Sequence, residues 1–104
     1  MINIALTIDK RGCLKEFEAA GHAENIVCAA VTMLLRTTAK LVYDNSHIQA
    51  AGSKGDPGEM WLKIHSYNHK ALDWFLGITE FCVKGLYDLQ EEYPEQVLIK
   101  YVYT

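Results

Sequence analysis

Two residues that can do covalent chemistry lie six positions apart in this chain, His22 and Cys28. A cysteine attacks as the thiolate, and a nearby imidazole or a helix N-terminus makes that thiolate available. A helical spacing of apolar residues begins at Ile26, which places Cys28 in the first turn of a predicted helix with Asn25 as its N-cap. The pattern therefore indicates a reactive cysteine at the start of a helix, with the histidine just before it.

The same turn supplies candidate backbone donors. If Asn25 caps the helix, then Ile26, Val27 and Cys28 are its first three positions, and the amides there have no partner inside the helix. Such N–H groups and the helix dipole stabilise negative charge on a sulfur or on a substrate carbonyl oxygen. We therefore predict Asn25, Ile26 and Val27 to be the helix cap and the oxyanion donors.

A histidine and a cysteine at this spacing are, on local sequence alone, more often structural than catalytic. Zinc binding is a second use of these residue types, but His47, His65 and His69 are scattered and supply no further ligands at recognisable spacing. Cys13 and Cys82 are predicted to pack as small apolar residues. Three cysteines with no close pair are not typical of a disulfide framework. We therefore expect neither a metal ion nor a cofactor.

The elements that position these residues follow from the spacing of apolar side chains. The predicted order is strand, strand, helix, strand, strand, helix, strand, over residues 2–8, 14–20, 26–43, 47–51, 59–65, 68–91 and 97–102. Two amphipathic helices against one mostly antiparallel sheet make an α+β two-layer sandwich. We expect residues 1–104 to form one domain, because the chain is long enough for a single two-layer core but not for two.

The spacing of apolar and turn residues also predicts which faces of the elements are buried and where a loop is exposed. The last strand is apolar on both faces, which predicts a central position in the sheet or a face covered by a partner. Turn residues at 52–58 predict an exposed hairpin connection. The predicted buried face of the first helix contains Ile26, Ala30, Met33, Leu34, Thr37 and Leu41. That of the second contains Leu72, Phe75, Leu76, Thr79, Val83, Leu86 and Leu89.

Composition and charge argue against a nucleic-acid-binding or membrane-spanning protein. Half of the 104 residues are hydrophobic and the formal net charge is −3, a balance typical of a globular protein and not of a nucleic-acid binder. No apolar run approaches the roughly 20 residues that span a bilayer, and the N-terminus has no basic segment followed by an apolar one. We expect a cytoplasmic protein that binds neither nucleic acid directly nor a membrane.

The run Gly-His-Ala at 21–23, followed by Ile-Val-Cys-Ala-Ala-Val at 26–31, resembles the signature of the bacterial ribosomal-processing cysteine protease family. The resemblance implies a Cys-His dyad, with Cys28 as nucleophile and His22 as general base. It also implies a homodimer that removes a short N-terminal extension from a large-subunit ribosomal protein precursor.

The sequence departs from that family in the connection between the two residues. The family usually has a longer, glycine-containing loop here and an Asp at the position of Asn25, whereas this chain has only residues 23–27. The alternative function is therefore a non-catalytic, ribosome-associated or assembly-related interaction domain that retains the fold.

Overall fold

The computed structural model describes residues 1–53 and 59–103, so most of the predicted loop at 52–58 lies outside the described residues. Its element order confirms the predicted α+β architecture. A short 3₁₀ turn, His69–Ala71, precedes the second helix. The strands and helices are β1 Ile2–Ile8, β2 Leu14–Gly21, α1 Asn25–Asp44, β3 Ile48–Gly52, β4 Glu59–Tyr67, α2 Leu72–Glu92 and β5 Val97–Tyr103.

The five strands form one sheet in the order β3-β4-β2-β1-β5. Every neighbouring pair is antiparallel except β1 and β5, which are parallel. Ile2 pairs with Gly21 on one side and with Val97 on the other. The start of β1, the end of β2 and the start of β5 therefore meet at one end of the sheet, next to the start of α1.

The core lies between the sheet and the two helices. Period-2 alternation in β1 directs Ile2, Ile4, Leu6 and Ile8 toward the helices, where each is at most 4% exposed. The opposite face of the sheet has no helix over it among the described residues, and side chains such as Leu98 on β5 are exposed there. This is the predicted two-layer arrangement, with one face covered and one open.

The predicted buried face of α1 is wrong except at Leu34, which is buried. Ile26 is 66% and Met33 57% exposed, and Leu41 is also exposed. The buried residues are Val27, Val31, Leu34, Leu35, Thr38, Ala39 and Val42. The helix carries apolar side chains on several faces, so spacing alone did not select the one that contacts the sheet. The predicted stripe of α2 is confirmed, since its members are buried or packed against the core.

Helix α1 is also long and apolar enough, by length and composition alone, to cross a membrane, with a mean hydropathy of 1.5. Its buried residues, Val27 to Val42, are spaced along one side and pack in the core with the strands. Burial against the sheet therefore accounts for part of the apolar character of this helix, and the exposed residues Ile26, Met33 and Leu41 contribute the rest.

The position of β5 differs from the predicted central one, because β5 is an edge strand. Its outward amide at Ile99 is occupied, since it donates a hydrogen bond of 2.7 Å to Oε1 of Gln90 on α2. A side chain bound to an edge amide takes away a position at which another strand could pair. The apolar character of β5 is explained on its core side by Val97 and Ile99.

Candidate active site

The segment before Cys28 begins with a turn that only glycine fits. Gly21, the last residue of β2, has a φ of +112°, and a Cβ atom there would clash with the backbone carbonyl of Met1. The Met1 amine in turn donates a hydrogen bond of 2.7 Å to the carbonyl of His22. The start of β1 therefore holds the backbone of His22 at the end of the sheet.

The N-cap of α1 is Glu24, one residue earlier than predicted, so Asn25 is the first helical residue. Glu24 has the extended ψ of 150° that a cap requires, and its carbonyl accepts the first helical hydrogen bond, from the amide of Cys28 at 3.0 Å. Cys28 is consequently the fourth helical residue rather than the third. The amides of Asn25, Ile26 and Val27 precede the first helical hydrogen bond and are directed out of the helix N-terminus.

The fourth position still brings the sulfur to the helix start. In an α-helix each Cα–Cβ bond tilts toward the N-terminus, so a side chain covers the turn before its own residue. The Cys28 Sγ accordingly lies 3.3 Å from the amide nitrogen of Ala23, which donates to it. It also lies 3.3 Å from the Ala23 carbonyl oxygen, to which the thiol donates. The short connection between His22 and Cys28 therefore closes directly around the sulfur.

A distant residue, Gln96, holds this connection in place. Its side-chain Oε1 accepts a hydrogen bond of 2.8 Å from the amide of Glu24, the N-cap. Its backbone carbonyl accepts another, also 2.8 Å, from the amide of Ile2. One residue just before β5 thus links the starts of β1 and α1. No sequence signal pointed to Gln96, because it lies 72 positions from its partner.

His22 and Cys28 both line one groove of about 350 Å³, which we call the reactive groove. Its walls come from the end of β2, the start of β4 and the first turns of α1, which contributes Thr32 and Arg36. His22 is exposed and Cys28 is half-buried, so solvent reaches both side chains. The structure therefore brings the two predicted residues to one accessible site.

The other cysteines lie elsewhere in the fold. Cys13 and Cys82 are fully buried in the core, and burial raises the pKa of both thiols above the usual value. In the described part of the chain, no three His, Cys, Asp or Glu side chains are placed to hold a metal ion. Within that part, Cys28 is the only cysteine with an exposed surface.

Comparison with known proteins gives one family match. The model of the cysteine protease Prp family matches residues 1–98. A search of curated proteins found no match.

Solved structures share the fold. The ribosomal processing protease Prp from S. aureus, in complex with a covalently linked product peptide, is 22% identical with a TM-score of 0.80, covering 97% of this chain and 99% of that one. SMU.848 from Streptococcus mutans is 24% identical with a TM-score of 0.78, covering 100% and 96%. The family model matches nearly the whole chain, and the solved structures share its fold. The chain therefore belongs to the cysteine protease Prp family.

Proposed function

We propose that this protein is a cysteine endopeptidase that removes an N-terminal extension from a large-subunit ribosomal protein precursor. The observation that carries the proposal is that Cys28 and His22 line one groove in a member of the cysteine protease Prp family. The S. aureus relative is a ribosomal processing protease and has been solved with a substrate peptide. The homodimer and the cytoplasmic location that the resemblance implies stay predictions.

In the proposed reaction His22 accepts the proton of the Cys28 thiol, and the sulfur attacks the scissile carbonyl carbon. The carbonyl oxygen becomes an oxyanion, which amides of Asn25, Ile26 and Val27 at the helix N-terminus are suited to stabilise. His22 then returns the proton to the leaving amine, and the carbon–nitrogen bond breaks. Water hydrolyses the resulting thioester, which releases the extension and restores the thiol.

The test is cleavage of a purified ribosomal protein precursor that carries an N-terminal extension, followed by mass spectrometry. We expect the native protein to shorten the precursor, and Cys28→Ala and His22→Ala to reduce the rate by at least about a thousandfold, as loss of a nucleophile or its base does. The matched control is His65→Ala, on the exposed side of β4 and outside the reactive groove, which should cleave at the native rate. Equal cleavage by all variants would contradict the assignment.

One observation favours a second candidate, a non-catalytic, ribosome-associated interaction domain. The Cys28 thiol is engaged by both backbone groups of Ala23, which the shortened connection brings to 3.3 Å. If this function is correct, the precursor binds and remains intact. A binding assay run beside the cleavage assay therefore separates the two candidates.

A further inference from the structure

A backbone nitrogen lies directly against the reactive sulfur. The amide nitrogen of Ala23 is 3.3 Å from Sγ of Cys28, and its N–H donates to that sulfur. Among the described residues, this amide donates to no other group. Oxidation of a cysteine to a sulfenic acid makes its sulfur electrophilic, and a neighbouring backbone nitrogen then has the position to displace the hydroxyl group. The contact therefore brings together the two atoms that a sulfur–nitrogen bond would join.

An oxidant in solution has access to this sulfur. Cys28 is half-buried and lines the reactive groove together with His22, which is exposed. The groove has a volume of about 350 Å³, which is far larger than a peroxide molecule. Susceptibility of a cysteine to oxidation follows its exposure and its thiolate character. Hydrogen peroxide is therefore expected to oxidise Cys28 in the native fold.

Neither of the other cysteines is placed to form a disulfide with Cys28. Cys13 lies in the β1–β2 turn, at the opposite end of β1 from the reactive groove, and the seven residues of that strand span about 20 Å. Cys82 contacts Thr38, which is about 15 Å along the axis of α1 from Cys28. A disulfide requires Cα atoms within about 7 Å. An oxidised Cys28 in the native protein therefore has the Ala23 nitrogen beside it and no second thiol.

We propose that Ala23 and Cys28 form an oxidative modification site, in which the Ala23 nitrogen converts the sulfenic acid of Cys28 into a cyclic sulfenamide. First, the thiolate attacks hydrogen peroxide. The sulfur–oxygen bond forms, the oxygen–oxygen bond breaks and hydroxide leaves, so that sulfur is oxidised and peroxide is reduced. The Ala23 nitrogen then bonds to the sulfur as the sulfur–oxygen bond breaks. The hydroxyl group leaves with the amide proton as water, and this second step needs no further oxidant.

The cyclic form is reversible and protects the nucleophile. A small thiol attacks the sulfur, the sulfur–nitrogen bond breaks, and the Ala23 nitrogen takes back a proton. A second thiol then releases Cys28 from the mixed disulfide and leaves as the small disulfide. Sulfinic acid, the next product of peroxide, is not reduced by thiols. The site therefore stores Cys28 in a recoverable form, whether or not the protein cleaves peptides.

The test treats the native protein with hydrogen peroxide, removes the peroxide with catalase, and digests the protein with trypsin without any thiol. Ala23 and Cys28 lie in one tryptic peptide, residues 16–36. The sulfenamide makes this peptide about 2 Da lighter than the free thiol does, whereas sulfinic acid makes it about 32 Da heavier. Because the ring joins the two residues, tandem mass spectrometry of the lighter peptide should give no fragments that separate residues 23–27. Oxidation of Met33 adds about 16 Da and leaves that pattern unchanged.

We expect most of the oxidised Cys28 in the native protein to be the lighter product and to return to the free thiol with dithiothreitol. Ala23→Pro has no amide proton to lose, so its thiol-recoverable fraction should fall at least about fivefold as sulfinic acid accumulates. The matched control is Ala23→Ser, which retains the N–H and should behave as the native protein does. A synthetic peptide of residues 16–36 should give no cyclic product, because no fold holds the two atoms together.

A second variant keeps the test valid if Ala23→Pro does not fold. Gln96→Met frees the neighbouring amide of Glu24, so that the connection before Cys28 is held less firmly. It should lower the fraction of the lighter product relative to sulfinic acid. The control is Gln90→Met, which removes a side-chain acceptor from an amide outside the reactive groove and should give the native fraction.

Three results would overturn the proposal: native Cys28 passing to sulfinic acid without a thiol-reversible lighter product, a lighter product that links Cys28 to a different tryptic peptide, or native yields of the cyclic product in Ala23→Pro. Failure here is distinct from failure of the proposed function. An intact precursor together with the cyclic product contradicts proteolysis alone, whereas a cleaved precursor without the cyclic product contradicts the sulfenamide alone.

Discussion

When the Cys28 thiol ionises, its contacts with the amide and the carbonyl of Ala23 change in opposite directions. As a thiol it donates to the Ala23 carbonyl and accepts from the Ala23 amide. As a thiolate it keeps the amide contact, which strengthens because the acceptor is charged, but the carbonyl contact becomes repulsive. A small shift of the connection between His22 and Cys28 should therefore accompany ionisation of the thiol.

The three cysteines should differ sharply in their reaction with iodoacetamide. Cys28 is half-buried at the edge of a groove, whereas Cys13 and Cys82 have no exposed surface. We expect one rapid modification of the native protein, at Cys28, at least about a hundredfold faster than the other two, which must wait for local unfolding. Intact mass measured over time, with peptide mapping, follows each thiol.

The control for this experiment is Cys28→Ala. In the native state it should take up no label on the same timescale, and in concentrated urea both remaining thiols should react. Rapid labelling of Cys13 or Cys82 in the native protein would contradict their burial in the core.

At the residue scale, the sequence was sufficient to place Cys28 and His22 in the fold but not to find the residues that support them. Cys28 near a helix start and His22 at the end of a strand followed from local spacing, and both lie in one groove. The cap was misplaced because Asn25 is the better capping side chain, whereas the actual cap, Glu24, has its amide held by Gln96. A contact made by a residue 72 positions away leaves no trace in local propensity.

At the scale of elements, the start of α1 is positioned by β1 and the segment that leads into β5. Gln96→Met keeps the backbone carbonyl that binds Ile2 but removes the side-chain acceptor of the Glu24 amide. We expect a loss of about 1 kcal/mol of stability, the usual contribution of one hydrogen bond. The alkylation rate of Cys28 should also change, and kcat for precursor cleavage should fall more than KM rises.

Gln90→Met is the matched control, because it removes a comparable side-chain acceptor from the amide of Ile99, which is outside the reactive groove. It should lose similar stability and leave Cys28 reactivity unchanged. If both variants alter Cys28 equally, Gln96 contributes to general stability and does not position the site.

The element boundaries were predictable to within a few residues, but the orientation of α1 was not. Strand alternation has only two faces, so the apolar one in β1 was unambiguous. Helix α1 has apolar residues such as Ile26 and Met33 on its exposed side as well. The edge position of β5 also depended on pairing across the whole chain, which local patterns do not encode.

At the scale of the whole molecule, the buried thiols make stability sensitive to alkaline pH. Burial raises the pKa of Cys13 and Cys82 in the folded protein above 9.0, while in the unfolded chain both return to ordinary values. Above about pH 9 the unfolded state therefore binds fewer protons than the folded state, and the free energy of unfolding falls as pH rises. Urea unfolding at several pH values between 7 and 10.5 measures this slope.

Burial also raises the pKa of Tyr101, to about 12, so its phenol adds to the same trend only near the top of that range. The matched comparison is Cys82→Ala with the native protein. The variant should be less stable at pH 7, because it leaves a cavity, but should lose stability less steeply above pH 9. A free energy of unfolding that is constant from pH 8 to 10.5 would contradict the assignment of buried, protonated thiols.

The link made by Gln96 also has a consequence for the order of events during synthesis. Translation delivers β1, β2 and α1 first, yet the turn before Cys28 gains its last support only when Gln96 has emerged and β5 has paired with β1. A nascent chain that lacks those residues carries Cys28 without the contacts that fix the turn around it. Synthesis therefore completes the surroundings of this cysteine later than the helix that carries it.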